Sequence, residues 1–255
     1  MKRTAISYGA SVRGPLHHRE GAPNQDAWLR ASGRFGSLIV VCDGMGSKPN
    51  ARTGAQAACA AAREAVTRWS LVDGAPVSYL AHLVEVLWRL RVHPGEPGEA
   101  ATTCLLAFVA ASGRWVVGGV GDGLVAIKTG KEPSVRVVGQ RDSGFGNETS
   151  ALGVSRGSKA WKLAVLPPTD DDRMAVLATD GVADDLIPEK LDAFCNWLVY
   201  DFVDLEPSMR WRRLQTELRD WPTPRHLDDK TVAVMRVPAA AKEMEIGRAS
   251  CRERV

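Results

Sequence analysis

Long apolar runs are missing from this chain of 255 residues: nothing in it approaches the roughly 20 residues that a membrane-spanning helix requires. The amino terminus, Met1-Lys2-Arg3-Thr4-Ala5-Ile6-Ser7-Tyr8, is positive but lacks the apolar core of a secretory signal. No membrane association is therefore expected, and a cytoplasmic location is. Cysteine is sparse as well. Cys42, Cys59, Cys104, Cys195 and Cys251 are scattered and odd in number, without a C-x-x-C pair. That argues against a disulfide framework or a thiolate zinc site and suits buried, reduced thiols. An excess of one charge is also lacking. The formal net charge is +3, and Ile246 to Val255 supply +2 of it, Arg248, Arg252 and Arg254 standing against Glu253. The rest is close to neutral, which leaves no electrostatic footprint for nucleic acid. Internal repeats and a recognisable linker are absent too.

What is present is an ordinary globular composition, 45% hydrophobic and 25% charged, in a chain long enough to bury a core unaided. Its most informative stretch is Ser37-Leu38-Ile39-Val40-Val41-Cys42-Asp43-Gly44-Met45-Gly46-Ser47. An apolar run with β-branched residues ends in a carboxylate and a glycine-rich turn, the pattern of a buried strand that delivers Asp43 to a sheet edge. Arg173 to Gly181 repeats the design with Asp180, and Trp115 to Gly123 is a weaker copy carrying Asp122.

Around these stretches, residues 3 to 12 read as an opening strand and 17 to 26 as a polar loop. Ala27 to Arg30 is a second strand, joined to the Asp43 strand by a hairpin at Gly33 and Gly36. The alanine-rich segment from Arg52 to Leu71 predicts a helix lying close on a sheet. Val77 to Arg91 predicts another, with Leu80, Leu83, Val84, Leu87 and Leu90 at helical spacing. Four short strands at 102–109, 114–120, 124–128 and 135–138 suggest an antiparallel meander. A long Gly-, Ser- and Asn-rich loop at 139–159 reads as functional. Strands at 160–166 and 173–179, helices at 188–203 and 207–219, and a closing strand from Thr231 to Val237 complete the chain. This order predicts an α+β fold with two sheets and two helix layers, not a doubly wound sheet. Residues 1–238 are expected to form one domain, and 239–255 an unstructured or appended tail.

Asp26, Asp43, Asp122, Asp180, Asp184, Asp228 and Asp229 all fall at strand ends or in adjoining loops. Carboxylates so gathered repel one another unless a cation compensates. With no His or Cys at ligand spacing, oxygen donors favour Mg²⁺ or Mn²⁺ over zinc. A pair of such ions activates water and clamps a phosphoryl group.

Asn24-Gln25-Asp26-Ala27, Val41-Cys42-Asp43-Gly44-Met45-Gly46, Gly119-Val120-Gly121-Asp122, Leu177-Ala178-Thr179-Asp180-Gly181 and Asp228-Asp229-Lys230-Thr231, in that order, resemble the metal-dependent protein phosphatase family (PPM, type 2C). The resemblance covers residues 5 to 237. It implies a four-layer α-β-β-α sandwich, two central antiparallel sheets flanked by helix pairs, with a metal cleft at one edge. Asp43 would bridge two Mn²⁺ or Mg²⁺ ions, the carbonyl of Gly44 would reach one, Asp180 and Asp228 would complete the other, and Asp26 would act directly or through water. Asp122 and Asp184 match positions that hold a third ion in bacterial members, and the 139–159 loop falls where those members carry a flap. The activity implied is hydrolysis of phosphoserine or phosphothreonine through a metal-bridging hydroxide, by a monomer whose partners are a phosphorylated protein and a cognate kinase.

The chain departs from the family pattern at Gln25, where Glu is common, and at Met45, where many members have a His that protonates the leaving group. His17 or His18 is the nearest substitute. Arg19 lies in the loop that carries the family's phosphate-binding arginine, somewhat farther than usual from the acidic pair; His17 and Arg19 are thus the candidate catalytic residues. Blander readings stand beside these. Asp43 and Asp180 could simply form Asp-Gly turns, Asp122 a hairpin turn, Asp184 a helix end and Asp229 a loop acid. Trp69, Trp88, Trp197, Trp211 and Trp221 read as packing residues. Arg210-Trp211-Arg212-Arg213 reads as a solvated helix face or a docking surface for an acidic partner. Two other functions fit the same residues: a pseudo-phosphatase that binds phosphoproteins, favoured by Gln25 and Met45, and a phosphoesterase acting on a small molecule.

Overall fold

The computed structural model describes residues 3–130, 132–139, 150–154, 157–222 and 227–240. Most of the predicted 139–159 flap and of the 239–255 tail lies outside the described residues. The elements are β1 (Ile6–Val12), α1 (Pro15–Glu20), β2 (Asp26–Gly33), β3 (Gly36–Asp43), α2 (Ala51–Trp69), α3 (Val77–Val92), β4 (Cys104–Ala110), β5 (Trp115–Val120), β6 (Leu124–Thr129), β7 (Arg136–Val137), β8 (Lys162–Leu166), β9 (Arg173–Ala178), α4 (Asp180–Ala183), α5 (Leu191–Val203), α6 (Pro207–Arg219) and β10 (Lys230–Val237).

They build two antiparallel sheets of five strands, ordered β1-β10-β9-β6-β7 and β2-β3-β4-β5-β8. Period-two alternation decides what each face covers. In β3, Leu38, Val40 and Cys42 point outward to Ala55, Ala58, Ala62 and Trp88 of α2 and α3. Ile39 and Val41 point inward, in one cluster with Ala175, Leu177, Ala233 and Met235 of the other sheet. That second sheet turns Ala10, Val12, Val176 and Val234 outward to Leu198, Phe202 and Leu214 of α5 and α6. Sheets face each other and helices cover both outer faces, which is the expected α-β-β-α sandwich. Among the described residues, no helix is long and apolar enough to cross a membrane.

The structure departs from the sequence reading in several places. The four strands from 102 to 138 do not form one meander. β4 pairs with β5 in one sheet, while β6 pairs with β7 and β9 in the other. The chain changes sheets across Gly121-Asp122-Gly123, where both glycines have positive φ, 105° and 106°. Strand alternation alone does not say which sheet a strand joins. The polar loop at 17–26 contains the short helix α1, and a 3-10 turn at Pro188–Lys190 precedes α5. Leu90 is 67% exposed instead of lying in the core, and Trp211 is exposed instead of packed. Arg210 is not a solvated residue: it is buried, donates to the carbonyls of Phe202, Val203 and Leu205, and lies 4.9 Å from the Tyr8 ring. A guanidinium satisfying three carbonyls this way fastens the α5–α6 connection to β1.

α2 comes close to its neighbours because its inner face is alanine and glycine. At Gly54 an added Cβ would stand 1.8 Å from the carbonyl oxygen of Ala100. Gly54→Ala, ordinarily stabilising in a helix, is therefore expected to lower stability by about 1–3 kcal/mol, as read from urea unfolding; a gain in stability would contradict this packing.

Candidate active site

Every aspartate singled out in the sequence lies at one end of the sandwich. β2 begins at Asp26 and β3 ends at Asp43, and the register sets the two directly opposite each other. β9 runs out through Thr179 into Asp180, the first residue of α4. Asp228 and Asp229 immediately precede β10. The backbone around Asp43 is fixed by two threonines: its N–H donates to Thr103 Oγ1 (2.9 Å), and its carbonyl accepts from Thr102 Oγ1 (2.8 Å) and from Thr103 N (2.8 Å). The next residue must be small, since a Cβ on Gly44 would meet the carbonyl of Ala51 at 2.4 Å.

Asp26 is buried. Its Oδ2 accepts from Thr231 Oγ1 (2.6 Å) and Thr179 Oγ1 (2.9 Å). Its Oδ1 and the Oε1 of Gln25 are buried and, among the described residues, have no hydrogen-bond partner. Burial, with Asp229 and Asp180 adding to it, pushes the Asp26 carboxyl up to about 7 against the pull of the Thr231 and Thr179 hydroxyls. Burial raises Asp43 well above the usual carboxylate range as well, with Asp26, Asp180 and Asp228 adding to the effect. These four carboxylates thus feel one another strongly. Asp122 shares their end of the sandwich: Gly121 lies against Thr103 and Gly123 against the Ala178 carbonyl. Asp184 follows α4, its N–H donating to the Asp180 carbonyl at 2.9 Å.

Asp229, expected as a loop acid, is instead only 2% exposed and is the fastening of the site. Its Oδ1 accepts from Gly14 N (2.7 Å) and its Oδ2 from Gln25 N (2.6 Å), with His17 Nδ1 at 2.9 Å from Oδ2. Among the described residues, His17, Asp228 and Asp229 form the one group of metal-ligating side chains whose donor atoms all lie within 4.8 Å of one another. The oxygens of Asp229 are already engaged, so the contact of Asp229 with Gly14, His17 and Gln25 is a clamp between α1 and β10, and Asp228 stands beside it. Burial lowers the His17 pKa, but contact with Asp229 more than offsets it and the net shift is upward. The fit is close in the backbone too: a Cβ on Gly14 would stand 2.2 Å from the Asp228 carbonyl oxygen, and one on Gly181 2.0 Å from that of Asp229. His18 and Arg19 are exposed on α1. Lys230, 1% exposed, donates Nζ to the Asp228 carbonyl at 3.1 Å.

Sequence reasoning missed Thr179, Thr231 and Lys230 as members of the site, and named Asp229 among the candidate acids but read it as a loop acid. The visible signal was a threonine within two residues of an aspartate in both the Thr179-Asp180 and the Asp228-to-Thr231 blocks. The donor set suits a hard divalent cation: it consists of carboxylate and carbonyl oxygens, includes the orphaned Asp26 Oδ1, and gathers negative charge that a cation relieves.

Two sheets under two helix layers, with acidic residues gathered at one open end, are the architecture of the solved protein phosphatases that the chain resembles. The family model for protein phosphatase 2C matches residues 13–221, and the chain belongs to that family of phosphoprotein phosphatases. Among solved structures, a bacterial serine phosphatase aligns at 16% identity and a TM-score of 0.67, covering 92% of this chain and 98% of the other. The photosystem II phosphatase PBCP aligns at 14% identity and 0.65, covering 92% and 100%. The catalytic domain of the serine/threonine phosphatase PstP, solved with 2 manganese ions, aligns at 17% and 0.60, covering 92% and 98%. At such identities the likeness is one of fold. No curated protein matches the sequence.

The clamp and the cluster separate cleanly by mutation. Asp229→Asn turns one of the two buried oxygens that accept backbone N–H groups into an N–H donor and is expected to cost about 3 kcal/mol in chemical unfolding, whereas Asp228→Asn, at a side chain 42% exposed, should cost less than about 1 kcal/mol. Equal losses would refute the division. A second expectation concerns pH. Because the folded-state pKa of Asp26 lies above its ordinary 3.8, the native state keeps a proton that the unfolded chain releases, so stability falls as pH rises from 3.8 through about 7. In EDTA-treated protein the melting temperature should decline over that window, and Mn²⁺ should restore it most at the upper end. A flat profile unaffected by Mn²⁺ would contradict the cluster.

Proposed function

We propose that the chain is a Mn²⁺- or Mg²⁺-dependent protein serine/threonine phosphatase. Asp26, Asp43, Asp180, Asp228 and the Gly44 carbonyl would hold two ions, and Asp122 and Asp184 would serve a third. The observation that carries this reading is the meeting of four separate parts of the chain at one end of the sandwich: Asp26 lies opposite Asp43 in register and is hydrogen-bonded by Thr179, next to Asp180, and by Thr231, in the block that carries Asp228. When bound, the ions supply an activated water and neutralise the phosphoryl oxygens.

The protein's own residues do the positioning. Asp43 stands at the centre because its backbone is held on both sides by Thr102 and Thr103. The Thr179 and Thr231 hydroxyls fix Asp26 Oδ2 and leave Oδ1 for a ligand. His17, with its pKa raised beside Asp229, stays protonated closer to neutral pH and is the candidate donor to the leaving alkoxide. Arg19, exposed on α1, is the candidate phosphate-binding cation. The substrate is a phosphorylated protein, a kinase acting on the same protein is its counterpart, and the setting is cytoplasmic. Met45 and Gln25 favour a second reading, a phosphoprotein-binding module with little turnover.

Hydrolysis of p-nitrophenyl phosphate and of a phosphothreonine peptide, each with Mn²⁺ and with EDTA, tests the proposal. Turnover is expected with Mn²⁺ alone and is expected to vanish in folded Asp43→Ala. Turnover that survives both EDTA and Asp43→Ala would overturn the mechanism, and none with any ion would leave the binding module.

A further inference from the structure

The layer between the sheets has a second open end. β3 runs from Gly36 to Asp43, and β9 starts at Arg173 and leads through Thr179 into Asp180, so about seven residues at about 3.3 Å each set the far end roughly 23 Å from the acidic cluster. There the sheets part into a cleft of about 530 Å³ lined by Arg3, Arg34 and Arg173. Its volume lies within the range of small-molecule sites.

Arg173 is the unusual member. It occupies an inward-facing position of β9, in line with Ala175 and Leu177, and is only 6% exposed. Its Nε donates to Thr129 Oγ1 (2.9 Å) and its Nη1 to the Pro167 carbonyl (2.7 Å), and the guanidinium lies 6.0 Å from the Trp115 ring. All of these partners are neutral. Among the described residues, no carboxylate comes within ion-pair distance of Arg173 and no acceptor meets Nη2. Glu132 and Asp171 act on Arg173 only from beyond ion-pair distance, and a buried cation so weakly paired is costly. Arg3 adds a second guanidinium, held by the carbonyls of Thr169, Asp171 and Pro238. Its nearest carboxylate, Asp170 at 3.7 Å, is 94% exposed and so a weak counter-ion. Arg34 stands exposed on the β2–β3 turn. Asp170 and Asp171 on the rim reduce the positive charge of the three arginines without cancelling it.

We propose that this cleft binds a small phosphate-bearing anion, with Arg173 as the buried anchor and Arg3 and Arg34 closing around it. The two ends of one sandwich thus carry opposite preferences, cations at the carboxylate end and anions at the arginine end. The source is either inorganic phosphate or the phosphate of a small organic ester.

The test is calorimetric titration of the full chain in Mg²⁺, using Asp43→Ala so that the acidic end neither turns over nor holds phosphate through its ions. Inorganic phosphate and adenosine monophosphate are the two probes. Saturable binding is expected for at least one, tighter for phosphate if the bare ion is the ligand and tighter for the nucleotide if the organic part lodges as well. Adding Arg34→Glu should weaken it by about tenfold or more, and adding Arg173→Gln should abolish it. If Arg173→Gln fails to fold, the exposed Arg34→Glu decides alone. In the otherwise native chain, Arg34→Glu should leave phosphatase turnover without added anion unchanged. Absence of saturable binding for both probes, or binding indifferent to Arg34→Glu, would overturn the proposal. Neither result bears on whether the acidic end is catalytic.

Discussion

A single buried carboxylate ties the working end of this protein together. Asp229 accepts from the backbone at Gly14 and at Gln25 and contacts His17, so one side chain joins the loop before β10 to both flanks of α1 and to the start of β2. The surrounding backbone leaves no slack. Gly14 and Gly181 close on the Asp228-Asp229 peptides from two sides, at distances no Cβ would tolerate. Asp228 is placed by this clamp, since it is the neighbour of a residue that cannot move. The same clamp sets Gln25 N and hence the residue after it, Asp26.

What the clamp assembles is electrostatically unfavourable without a ligand. Burial raises Asp26 and Asp43, and their neighbours raise them further. Thr179 and Thr231 relieve one oxygen of Asp26 and leave the other bare. The fold therefore stores repulsion at the point where a hard cation can release it, as sites that sacrifice local stability for function commonly do. Lys230, buried on the Asp228 carbonyl, supplies a fixed positive charge beneath the cluster.

Much of this was legible in the sequence. Apolar runs ending in Asp-Gly marked Asp43 and Asp180 as strand-end carboxylates, and the alternation of strands with helix pairs gave the layers. The sheet change at Gly121-Asp122-Gly123 was not legible, because a glycine-flanked turn looks the same whether the chain folds back or crosses over. Nor was the part played by Asp229. Beside Asp228 it reads as a second loop acid, and only the long-range approach of Gly14, His17 and Gln25 turns it inward. Arg210 and Arg173 were hidden for a related reason: an arginine that spends its donors on carbonyls has no sequence partner to betray its burial.

Four carboxylates that converge at one end of the sandwich would hold the metal ions of the proposed phosphatase, and counting bound metal tests that directly. Electron paramagnetic resonance titration with Mn²⁺ should show about two tightly held ions per chain, with loss of tight binding in Asp43→Ala and Asp180→Ala. Tight binding that is absent from the folded wild-type protein, or that persists unchanged in both variants, would contradict it.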